Sequence, residues 1–92
     1  MIKSFKCKHT KNLFEDIRGK KFSSIAKFAK MRLTSLSIAC SLNDLKSPPS
    51  NRLEALKGDR KNQYSIRINK QYRLCFSWQR GDAYDVEVVD YH

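Results

Sequence analysis

The chain has 92 residues, room for one domain over 1–92 with a thin core. Nineteen Lys and Arg stand against nine Asp and Glu, a formal charge of +10, while 40% of residues are hydrophobic. That balance excludes wholesale disorder and points to an anionic partner such as nucleic acid, anionic lipid or an acidic protein.

Residues 2–8 (IKSFKCK) alternate loosely and suit a short first strand. Thr10 as a cap, Leu13, Phe14 and Ile17 as a stripe, and Gly19 as a terminator describe a short helix. Ser23 or Ser24 then caps a longer one, in which Ile25, Phe28, Ala29, Leu33, Leu36, Ala39 and Cys40 recur near 3.6 spacing. Pro48-Pro49 ends it in a loop, and 52–57 (RLEALK) form a short extended piece. The last third changes period. Tyr64, Ile66 and Ile68, then Tyr72, Leu74, Phe76 and Trp78, then Tyr84, Val86 and Val88 each alternate with polar or small neighbours. These are three half-buried antiparallel strands joined by short turns at Asn69-Lys70 and Arg80-Gly81-Asp82. The order predicts an α+β fold, two N-terminal helices packed on one face of a small antiparallel β-sheet.

No stretch approaches the roughly 18 apolar residues of a membrane span, and MIKSFKCKH lacks the apolar run of a signal peptide. A cytoplasmic protein with no membrane partner is expected. Cys7, Cys40 and Cys75 are odd in number and far apart, so all three are expected to be reduced and buried. No metal-ligand constellation is visible and no cofactor is expected.

The charge is segregated. Residues 1–33 carry ten basic and two acidic side chains, suited equally to a solvated face and to nucleic-acid contact. Residues 57–73 carry six basic (Lys57, Arg60, Lys61, Arg67, Lys70, Arg73) and one acidic. Arg67 and Arg73 share the polar phase of adjacent strands, and their planar forks match phosphate oxygens. Alternatively, Arg67 pairs across the sheet with Asp85 or Glu87. His9 has no chemical company and is expected to be exposed and inert.

The segments RLEALKGDRKNQYSIRINKQYRLCFSW and VEVVDYH, with MIKSFKCK at the start, resemble the HigB branch of the RelE/ParE toxin superfamily across essentially the whole chain. The resemblance implies a RelE-like compact domain and a toxin that cleaves mRNA in the ribosomal A site. It implies a HigA-like helix-turn-helix antitoxin as partner, with operator DNA contacted only through that complex. It places the active site at Arg73 and at Asp90, Tyr91 and His92, with Lys57 nearby; the basic cluster and the strand phase add Arg60 and Arg67 as expected phosphate contacts. Some relatives carry a histidine where this chain has Glu54; Glu54 can supply a base, His92 can serve alone, or the position is not catalytic. The chemistry suits these residues: His92 titrates near neutrality, Arg73 and Lys57 can hold developing negative charge, Tyr91 can stack on a base or bond to phosphate, and Asp90 can orient His92. If the last strand stays regular, Asp90 and His92 share one phase and Tyr91 the other, so convergence of all three on Arg73 requires a bend near Asp90. Three other functions fit less of the sequence: a ParE-like gyrase poison, a non-catalytic basic RNA-binding module, and a co-repressor that has lost toxicity.

Overall fold

A computed structural model describes residues 1–17 and 19–91. Two helices, α1 (Lys8–Phe14) and α2 (Ala26–Ile38), precede four strands, β1 (Glu54–Ala55), β2 (Gln63–Arg67), β3 (Tyr72–Gln79) and β4 (Asp82–Asp90). The strands form one antiparallel sheet in the order β1-β2-β3-β4, as consecutive short connections favour. The core lies between the sheet and the helices. Leu33 and Leu36 of α2 meet Ile66 of β2, Leu74 and Phe76 of β3 and Val86 of β4, all fully buried. The α+β expectation is met.

Several local expectations change. Helix α1 begins at Lys8, and Thr10 lies buried inside it, where its Oγ1 accepts the Val88 N–H at 2.9 Å. A buried strand-edge donor needs a partner, and Thr10 supplies it in place of a cap. The helix stops at Phe14, with Asp16 in the left-handed region (φ 60), so Ile17 falls past the helix and is exposed. On α2, Phe28 is rotated about 100° from buried Ala29 and faces outward, while Cys40 follows the end of the helix and is exposed. Cys7 is half-buried, and Cys75 alone of the three is buried, all as free thiols.

Residues 2–8 do not form a full strand. They run parallel to the first half of β4 and touch it in two isolated bridges, Ile2 with Ala83 and Phe5 with Val86. The interruption is a bulge in β4. Cys75 pairs with Glu87 but Ser77 pairs with Tyr84, so β4 carries one extra residue, and Asp85 takes φ 52. The bulge shifts the inward phase by one residue: Ala83 and Val86 are both fully buried, and Tyr84, expected in the core, is only half-buried.

The turns follow their chemistry. Asn69 Oδ1 accepts the N–H groups of Gln71 and Tyr72, both at 2.8 Å, and closes the β2–β3 hairpin. Arg80 (φ 51) and Gly81 (φ 82) form a turn whose twist matches the hairpin β3–β4. Gly81 lies beside the Cys40 carbonyl just past α2 at an ordinary contact distance, so its positive φ and not lack of space is what favours glycine there.

Candidate functional site

The sheet face away from the helices carries a polar row. Glu54 pairs with Ser65, Ser65 with Cys75, and Cys75 with Glu87, one residue from each strand in register. One step along, Arg67 pairs with Arg73 and Arg73 with Val89. Alternation therefore puts both arginines on this face, as the sequence requires.

Arg73 is held firmly. Its Nε donates to Ser65 Oγ at 2.7 Å and its Nη2 to the Arg52 carbonyl at 2.6 Å, with a weaker contact to the Ser65 carbonyl at 3.4 Å. Its Nη1 lies 3.7 Å from Glu54 Oε1, and only 11% of the side chain is exposed. Arg67 turns the other way, its Nε donating to the Asn69 carbonyl at 3.1 Å. The Arg67 backbone carbonyl accepts a bond from Arg32 Nε of α2 at 2.8 Å, which ties the end of β2 to the helical layer. Between the arginines opens a cleft of about 380 Å³ lined by Arg52, Glu54, Arg67, Asn69, Lys70, Arg73 and Tyr91. Four cations and one carboxylate line it, so it attracts anions. A larger groove of about 600 Å³ lies between α1 and α2, but its walls are mainly apolar, with Leu13, Ile17, Ala26 and Met31. It suits phosphate poorly.

Arg60 does not pair with the cleft. It reaches over the sheet from the turn after β1, its Nη2 bonded to Glu87 at 2.8 Å and its Nη1 to Gln63 Oε1 at 3.1 Å. Glu87 is thus engaged by Arg60, the residue that the alternative pairing assigned to Arg67. Burial disfavours the Arg60 charge, but the Glu87 hydrogen bond and nearby negative groups outweigh it and hold the guanidinium above its ordinary pKa. Burial pushes the Cys75 thiol up, against the opposing pull of Arg60 and of a hydrogen bond to Tyr91. The Tyr91 hydroxyl is raised by burial and by Cys75, with Arg60 and Arg73 opposing. Tyr91 is 37% exposed and lines the arginine cleft.

The C-terminal residues divide. Strand β4 runs through Asp90 without the bend that convergence needs, and the Tyr91 N–H continues the pairing to the Gln71 carbonyl at 2.6 Å. Plain alternation brings Tyr91 onto the Arg73 face. Asp90 falls on the other side, paired with Tyr72 and lining a cleft with Lys21 and Phe22, where Gln71 Nε2 donates to it at 3.1 Å. His92 lies outside the described residues. Lys57 is exposed at the start of the turn that carries Arg60 and does not line the arginine cleft. The structure thus gathers Arg73, Arg67, Glu54 and Tyr91, and adds Arg52, Ser65 and Cys75. Ser65 and Cys75 were legible as polar-phase neighbours of Arg67 and Arg73. The part played by Arg52 was not, because its backbone carbonyl does the work.

Residues 3–92 match the HigB-like toxin family, described as the RelE-like toxin of the type II toxin–antitoxin system HigB. The chain is 41% identical over 85 residues to Toxin HigB-1 of Vibrio cholerae, covering 90% of each. It is 35% identical over 94 residues to Endoribonuclease HigB of Proteus vulgaris, covering all of both. The fold superimposes at a TM-score of 0.60 on a chain of the heterotetrameric YoeB–YefM toxin–antitoxin complex from Staphylococcus aureus, at 18% identity and over 100% of this chain and 98% of that one. The same fold, family match and sequence likeness coincide over nearly every residue, and the chain belongs to the HigB-like, RelE-type toxin family of type II toxin–antitoxin systems.

Proposed function

We propose that residues 1–92 act as one toxin domain, an endoribonuclease that cleaves mRNA in the ribosomal A site and so stops translation. One observation carries the reading: Arg73 is fixed by Ser65 and the Arg52 carbonyl in a cleft with four cations and one carboxylate. The name of the Proteus vulgaris relative supports an RNase over a gyrase poison.

Cleavage through the 2′-hydroxyl needs a base, a cation for the crowded phosphorane, and an acid for the departing 5′ oxygen. Arg73 is the cation, pre-organised where charge develops and with no cofactor needed. Glu54, the carboxylate at the cleft rim 3.7 Å from Arg73, takes the 2′ proton. Tyr91 stacks on or bonds to the substrate beside Arg73, and His92, entering as the imidazolium, gives its own proton to the departing 5′ oxygen, after which solvent takes the proton from Glu54 and reprotonates His92. Lys57, Arg60 and Asp90 support the site from outside the cleft: Lys57 by phosphate contact, Arg60 by holding Glu87, and Asp90 by fixing the end of β4. The ribosome supplies the alignment of the RNA, a contribution worth roughly 7–11 kcal/mol in well-oriented reactions. The neutralising partner is a HigA-like helix-turn-helix antitoxin, the complex alone contacts operator DNA, and both act in the cytoplasm.

Primer extension on mRNA from cells expressing the wild type, Arg73→Ala or His92→Ala tests this. Codon-phased cuts in the wild type that vanish in both variants are expected. Intact transcripts with loss of gyrase supercoiling would replace the reading with the gyrase one. Equal cleavage of free and ribosome-held RNA would remove the ribosome from it.

A further inference from the structure

We infer that the arginine cleft binds two neighbouring phosphates of one RNA strand, the scissile one at Arg73 and the next at Arg67 with Lys70. This rests on the RNA-cleaving reading and names how its substrate is gripped.

Arg67 and Arg73 are direct cross-strand partners on the same face. Opposed side chains of this kind stand about 4.5–5.5 Å apart at Cβ, and like charges so placed repel. The two forks splay in response. Arg73 is pinned toward Ser65 and Arg52, and Arg67 toward Asn69 in the β2–β3 turn. Ser65 lies in β2 on one side of Arg67 and Asn69 in the turn on the other. Forks drawn toward different anchors offer two separate sets of donors, which suit successive phosphates of one strand better than a single group. The electrostatics separate the two positions as well. Glu54 lies beside Arg73 and partly offsets it, whereas the Arg67 end adds Lys70 and no carboxylate of the cleft lining. Each fork has its Nε committed to an oxygen, which fixes the guanidinium plane and lowers the ordering cost of a phosphate contact; Arg73 also has Nη2 bonded to the Arg52 carbonyl and meets phosphate with its remaining Nη hydrogens. The cleft is therefore built for a polyanion.

The test uses the full-length protein and a fluorescent 2′-O-methyl RNA of about six nucleotides, which binds without being cut. Anisotropy is measured for a series in which one linkage at a time is a neutral methylphosphonate. Two adjacent linkages are expected to matter, each weakening wild-type binding by roughly 3–10-fold. Arg67→Gln should erase the sensitivity of one linkage and keep the other, and should lower the salt slope of log affinity by about 0.7, the value for one phosphate on a single strand. Arg73→Gln should erase the other. The Arg67→Gln variant is checked for an unchanged melting temperature, since the Arg67 backbone carbonyl still accepts from Arg32. A single sensitive linkage in the wild type, or two that Arg67→Gln leaves intact, overturns the inference while mRNA cleavage in cells still stands. If the RNA does not bind and transcripts in cells are also intact, the RNA-cleaving reading falls and takes this inference with it.

Discussion

Ser65 Oγ accepts the Arg73 Nε hydrogen at 2.7 Å, and both residues sit on one face of adjacent strands. Ser65 is fully buried, so the hydroxyl is a fixed oxygen that sets the plane of the guanidinium. Ser65→Ala removes that oxygen and leaves a desolvated donor, which costs about 1–3 kcal/mol of stability. Ser65 does not reach the cleft lining, so the expected kinetic change is in turnover. A ribosome-based cleavage assay should show kcat down by about 10-fold, one kcal/mol-scale loss of orientation, with KM nearly unchanged. A change in KM alone would mean that Ser65 serves binding and not alignment.

Glu87 accepts from Arg60 at 2.8 Å with only 14% of its side chain exposed. A charge-assisted bond so sheltered contributes more than a surface pair and is little screened. Glu87→Gln keeps the shape and removes the charge. A loss of about 1–2 kcal/mol is expected, read by calorimetry as a melting point lower by several degrees, about 4–8 °C per kcal/mol in a chain of this size. The difference should persist in high salt; its disappearance there would make the pair a surface contact.

Cys75 and Tyr91 both hold their protons more tightly than in the unfolded chain. For such groups the stabilisation is complete below the unfolded values, about 8.5 for thiol and 10 for phenol, and is lost as pH rises through the higher folded ones. Thermal melts from neutral to alkaline pH should therefore fall from about pH 8.5 upward, and fall less in Cys75→Ala. At neutral pH a thiol reagent should modify exposed Cys40 quickly and Cys75 only after unfolding, as mass spectrometry of modified peptides can read.

Asp85 sits in the left-handed region at φ 52, where its N–H is held by Ser4 Oγ at 2.9 Å. An aspartate tolerates this region, but a β-branched residue does not. Asp85→Val should destabilise the fold by about 1–2 kcal/mol, measured by urea denaturation, while Asp85→Asn should stay near wild type. If Asp85→Val leaves stability unchanged, the bulge does not depend on that backbone conformation.

Much of this arrangement was legible in the chain itself. Period-two alternation located β2, β3 and β4, and it placed Arg67 and Arg73 on one polar face, because side-chain direction along a strand is a local property. The same alternation carries Tyr91 to that face and Asp90 away from it. The local excess of positive charge around residues 57–73 marked the face before any packing was known. Tertiary structure alone decided the rest. The extra residue at Asp85, the buried place of Thr10 against Val88, the union of Arg60 with Glu87 and the nearness of Glu54 to Arg73 all depend on which strand lies beside which, and in what register. Those contacts join residues far apart in sequence, up to the 78 positions between Thr10 and Val88, and no local periodicity encodes them.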